Sequence, residues 1–121
     1  MRTSAWPRPR SPEAGVIVLA GTDVSNAGTA HGLSTHRELE LLVRAGLTPT
    51  EALAAATSRP ADQFGLDDRG RIAPGLRADL MLVRGDPTID ILATRDIVAV
   101  IRGGTRVDRQ ALAAEIASSQ E

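Results

Sequence analysis

Cysteine is absent from this 121-residue sequence, which closes off disulfides and thiolate chemistry and fits a cytoplasmic protein. Aromatic side chains are almost missing as well. Trp6 and Phe64 are the only two, so any core must be built from Ala, Leu, Val and Ile. No apolar run approaches the ~18 residues of a membrane-spanning helix. The first 15 residues carry Arg2, Arg8 and Arg10 without the apolar stretch of a secretory leader. Basic residues form no block: 14 stand against 15 acidic ones, for a net charge of −1. The concentrated positive field that phosphate backbones require is lacking, which speaks against nucleic acid as a partner. What is present, 42% apolar residues, suffices for one domain's core, or for one domain's tail end with a small appendage.

The strongest local signal is Gly15 to Asp23, GVIVLAGTD. Its apolar run, Val16 to Ala20, is β-branched and too short for a helix. This pattern predicts a strand buried on both faces, as in the parallel sheets of α/β proteins. Gly21, Thr22 and Asp23 follow at once, then a polar loop containing His31. A carboxylate at the end of a buried parallel strand stands where α/β enzymes present catalytic groups. An aspartate there also caps turns. Both roles are open to Asp23 on local pattern alone.

Along the rest of the chain, residues 1–12 (three prolines, three arginines) predict a disordered arm. The loop from Asp23 to Ser34 is long enough to be functional, with Thr22 and Asn26 as bracing residues. Leu39, Leu42 and Val43 predict a helix over 35–45, with a capping box from Thr35 and Glu38 and a glycine stop at Gly46. Thr48-Pro49-Thr50-Glu51 opens a second, alanine-rich helix. Arg59-Pro60 interrupts it, and a short third helix ends at Gly65. After a turn-rich stretch, strands are expected at 78–83, 97–102 and 105–107, the last two joined by a hairpin at Gly103-Gly104. Arg77 to Asp79 is expected to serve turn geometry. A final helix over 110–118 would turn its alanines inward. His36, at a helix start, reads as a surface residue. The organisation is therefore an arm (1–12), an α/β segment (13–65), a β segment (66–109) and a C-terminal helix or tail (110–121).

The order of these motifs (GTD after the apolar run, HG, HRELELLVRAGLTPTEALAAAT, GRIAPGLRADLMLVRGDP, VIRGGTRVD) resembles the C-terminal part of the metal-dependent amidohydrolases. The likeness is strongest to imidazolonepropionase-like and Xaa-Pro dipeptidase-like members and covers residues 13–109. It implies an α/β fold: the last strand and closing helices of a (β/α)8 barrel, plus the C-terminal strands of its small β-sandwich. It also implies that Asp23, at the end of the eighth strand, is a metal ligand or near-ligand and takes a proton from the water that attacks a C–N bond. A bound metal lowers the pKa of such water to about 7, and a neighbouring carboxylate can receive its proton. His31, over the barrel mouth, would touch substrate, although a plain loop histidine fits equally well.

The resemblance further implies a divalent metal, zinc foremost, in the complete enzyme, with a small-molecule amide or cyclic amidine as substrate. The family's other ligands precede the eighth strand, so this chain alone is expected to hold no ion tightly. Exposing Val16 to Leu19 would forfeit roughly 1.5–3 kcal/mol per side chain, against about 5–15 kcal/mol for a whole domain. Self-association or a complementing chain is therefore expected. Two functional classes follow: the C-terminal portion of a C–N hydrolase, inactive alone, or a non-catalytic remnant or interaction module.

Overall fold

Helices come first and a sheet second along residues 15–119, the part of the chain that the computed structural model describes. The order is α1 (Leu33–Arg44), α2 (Pro49–Ala56), α3 (Ser58–Phe64), β1 (Leu80–Val83), a 3-10 helix (Ile91–Arg95), β2 (Ile97–Arg102), β3 (Thr105–Arg106) and α4 (Arg109–Ser118). The expected arm, residues 1–12, lies outside the described residues.

α1 starts two residues earlier than its polar pattern suggests, with Gly32 at φ 75° as its N-cap. Thr35 thus falls inside the first turn, and the expected Thr35–Glu38 capping box does not form. Glu38 instead accepts a hydrogen bond from the Gly21 amide at 3.3 Å. The other end follows the sequence. Gly46 at φ 117° lets its amide reach Val43 O (3.0 Å) and the Leu47 amide reach Leu42 O (3.1 Å). Those two bonds satisfy carbonyls that a helix end would leave orphaned, and Leu47 is buried behind them.

α2 begins as its sequence dictates. Thr48 Oγ1 accepts from the Glu51 amide at 3.2 Å, and the Glu51 carboxylate accepts from the Thr48 amide at 2.8 Å. Its Ala52 and Ala55 are completely buried, because a methyl group is the side chain that lets two helices approach closely. The break comes at Thr57 (φ −131°, ψ −83°), whose hydroxyl donates to Leu53 O at 2.7 Å. Pro60 then sits in the first turn of α3, where its missing N–H removes no helical bond.

The three strands form one antiparallel sheet in the order β1-β2-β3. Leu80 faces Ile101 and Leu82 faces Ala99, with an irregularity between Leu82 and Val83. Gly103 (φ 55°) and Gly104 (φ 83°) supply the two positive φ angles of the expected hairpin turn. Asp79 secures that turn from β1's side: its Oδ1 accepts from the Gly103 amide at 2.7 Å, and it pairs with Arg77 at 2.7 Å. Arg77 to Asp79 therefore serves turn geometry, as the sequence suggests.

Leu39 of α1, Ala52 of α2 and Ile91 of the 3-10 helix form the core, with Leu42, Val43, Leu53 and Ala56 packed against it. Ile91 ties the later half of the chain into the helical half, so the core spans the division expected near residue 66.

Two expectations are corrected. First, Val16 to Ala20 joins no β ladder among the described residues, and Val16 and Ile17 are 57% and 55% exposed. A strand buried on both faces requires neighbours at both edges and above and below. Among the described residues the segment finds one main-chain bond, from the Ala20 amide to Ala55 O at 2.8 Å. Second, α4 buries none of its residues. Alanines offer too little area to hold a helix down, and Asp108, capping the Gln110 and Ala111 amides, and Arg109, donating to Ile97 O, fix its start.

Candidate functional site

The loop carrying Asp23 is anchored at its entry by two bonds: Ala20 to the α2 carbonyl of Ala55, and Gly21 to Glu38 of α1. Beyond them Asp23 adopts φ 48°, a left-handed conformation that aspartate tolerates better than most residues. Its carboxylate is exposed, and Oδ2 accepts a hydrogen bond from Asn26 Nδ2 at 2.5 Å. The Asn26 amide returns a bond to Asp23 O at 3.2 Å, and Thr29 Oγ1 donates to Asn26 O at 2.7 Å. Asn26 is thus the loop-bracing residue that the sequence suggests. The loop closes where the Ala30 amide donates to Ser34 Oγ at 2.8 Å, at the entry to α1.

His31 stands exposed in the turn just before α1. No hydrogen bond joins it to Asp23 among the described residues. Among those residues no three His, Cys, Asp or Glu side chains gather closely enough to hold a metal ion. A catalytic zinc site uses about three protein ligands, whereas Asp23 offers one carboxylate, already partnered by Asn26. The described residues by themselves do not fit a metal ion.

His36 is not the surface residue its position suggests. It is half-buried, and its Nδ1 lies 3.1 Å from Oγ1 of Thr94, a side chain only 2% exposed. Burial, and then the positive charge of Arg95, hold its imidazole below the usual histidine value, with Glu40 pulling the other way. Glu40 itself is held below the usual carboxylate range, first by its hydrogen bond from Arg95 and also by Arg37. This cluster escaped the sequence because Thr94 and Arg95 lie in a 3-10 helix with little pattern of its own. The legible signal was the spacing of His36 and Glu40, which puts both on one face of α1.

Helices that anchor a carboxylate-bearing loop, packed with a 3-10 helix and followed by a small antiparallel sheet, define a mixed helix and sheet protein. The chain belongs to the amidohydrolase family, whose sequence profile matches residues 7–107. Imidazolonepropionase of Deinococcus deserti is 41% identical over 107 residues, covering 85% of this chain and 27% of that protein. Adenine deaminase of Deinococcus radiodurans is 45% identical over 58 residues, covering 48% of this chain and 11% of that one. Among solved structures, a Bifidobacterium longum protein with a provisional prolidase assignment superposes with a TM-score of 0.74 at 34% identity. It covers 90% of this chain and 28% of its own. A Xaa-Pro dipeptidase with bound methionine gives a TM-score of 0.57 at 30% identity, over 60% of this chain and 18% of its own. Both subgroups suggested by the motifs are thus among the relatives. The chain spans about a quarter of the length of the imidazolonepropionases it matches. No helix among the described residues is long and apolar enough to cross a membrane.

Proposed function

We propose that this chain contributes the strand-end aspartate of a C–N bond hydrolase acting on small-molecule amides or cyclic amidines. The observation that carries this reading is the anchored loop. Asp23 sits within the span matched by the family profile, and its approach is fixed by bonds to both α1 and α2. Asp23 takes a proton from the water that attacks the substrate, and His31, exposed at the far end of the same loop, contacts substrate. In the complete protein a divalent ion, zinc foremost, with Asp23 among its ligands, would supply the acidity that makes water a nucleophile at neutral pH. The chain alone is inactive on this reading, because one carboxylate does not make a site.

A second reading, a non-catalytic interaction module, is favoured by the exposed apolar side chains of Val16, Ile17, Met81 and Leu82. Such side chains gain stability when a partner covers them. One experiment separates the two. The chain is co-expressed with the segment of Deinococcus deserti imidazolonepropionase that precedes the matched region, zinc is supplied, and hydrolysis of small amides and cyclic amidines is measured. Hydrolysis that falls at least ~10²-fold in Asp23→Asn, with association unchanged, supports catalysis. Association without hydrolysis supports the module. Neither association nor hydrolysis overturns both.

A further inference from the structure

The loop from Gly21 to Ala30 leaves and rejoins the same face of α1. At its entry the Gly21 amide donates to Glu38 Oε1 at 3.3 Å, across 17 residues of sequence. At its exit the Ala30 amide donates to Ser34 Oγ at 2.8 Å, and the Ser34 amide returns a bond to Ala30 O at 3.0 Å. Ser34 and Glu38 stand at i and i+4, so they are neighbours on the helix surface, about 5–6 Å apart at Cβ. A loop whose ends are held that close is a compact Ω-loop. Inside it, bonds run in steps of three residues: Asn26 holds Asp23 by side chain and main chain, and Thr29 holds Asn26 O.

We propose that Ser34 and Glu38 form a two-point clamp that sets the position of the Asp23 carboxylate, with Glu38 as its positioning residue. This rests on the reading that Asp23 takes the water proton, and adds which side chains of α1 hold it to that task. A loop has little stiffness of its own, whereas α1 is fixed in the core by Leu39, the residue next to Glu38. The clamp passes that stiffness to Asp23, two residues beyond Gly21. The Ala20 bond to α2 lies one residue earlier, so without Glu38 the turn through Gly21 and Thr22 swings about that point and carries Asp23 with it.

Two further features bear on the clamp. Asp23 is held at φ 48°, a backbone state that a residue other than glycine keeps only where its surroundings enforce it. Glu38 serves as an acceptor rather than as a charge: glutamine offers an equivalent Oε1, and alanine offers none. Placement matters to chemistry, since a shift of about 1 Å at a reacting group costs about 10²-fold in rate. Asn26 reports that placement. It is the only asparagine in the chain, so selective labelling leaves one side-chain NH2, which donates to Asp23 Oδ2. A Glu38 that merely stabilised the fold would move the urea midpoint and leave this signal alone in the folded protein.

The test records the Asn26 side-chain protons by NMR in the full chain, with the urea-unfolded chain supplying the signal of a released Asn26. Glu38→Ala and Ser34→Ala should each move the folded signal toward the released one, and Glu38→Gln should keep the wild-type signal. The Gly21 amide of the wild type should exchange several-fold more slowly than its intrinsic rate. Exchange of that amide at the intrinsic rate overturns the clamp, and this measurement needs no variant to fold. A folded Glu38→Ala protein with the wild-type Asn26 signal overturns it too, as does Glu38→Gln moving as far as Glu38→Ala. In the assembly with the Deinococcus deserti segment, Glu38→Ala should lower kcat about 10-fold or more with KM little changed, and Glu38→Gln should restore it. Hydrolysis that falls in Asp23→Asn but not in Glu38→Ala overturns the clamp. Hydrolysis indifferent to Asp23→Asn removes the catalytic reading of Asp23 instead, and the Asn26 signal still decides whether Glu38 positions it.

Discussion

A methyl group added at Gly70 has nowhere to go. Its Cβ would lie 2.5 Å from the Ala61 Cβ and 2.9 Å from Thr57 O, and the backbone there is at φ +88°. Left-handed strain of about 1–2 kcal/mol adds to overpacking of about 1–3 kcal/mol. Gly70→Ala should therefore lower the urea midpoint by the equivalent of roughly 2–5 kcal/mol. Gly28→Ala, at φ +84° in open space, should show the strain alone, and the difference between the two isolates the clash. Glu40 gives a second prediction at this scale. Its folded carboxyl value is depressed by Arg95 and Arg37, so its contribution is present above 4.5 and lost as pH falls through the folded value. Thermal melts between pH 3 and 5 at low salt should show a flatter acid limb in Glu40→Gln than in the parent.

Elements differ in how much of their own boundary they carry. The cap of α2 is entirely local, so Thr48→Ala should cost about 1 kcal/mol. Glu51→Ala should cost less, and the double variant less than their sum, since each residue completes the other's bond. Denaturant titration of the four proteins checks this. α1 shows the opposite case. Thr35 and Glu38 have the spacing of a capping box, yet Glu38 is drawn 17 residues back to the Gly21 amide. A helix start competes with whatever else its side chains can reach, and that competitor was not in the local window. α4 shows the limit of composition: its alanines suit a helix but do not choose a surface to lie on.

For the molecule as a whole, the core runs through both halves of the chain, so Leu39→Ala should cost about 2–5 kcal/mol. Helix content and the protection of β1 and β2 should be lost in one coincident transition. Separate transitions would show that the sheet stands without α1. The sequence by itself determined what depends on near neighbours: the glycine stop at Gly46, the Thr48–Glu51 box, the Gly103-Gly104 hairpin, the strand at 97–102 and a loop-bracing role for Asn26. Each is decided within a few residues, where backbone sterics and short hydrogen bonds act. Tertiary structure alone decided the rest: that Glu38 holds Gly21, that His36 is sheltered by Thr94, and that Ile91 completes a helical core. It decided too that Val16 to Ala20, for all its β-branched residues, forms no strand. A β ladder is made of bonds between segments, and no property of one segment supplies its neighbour.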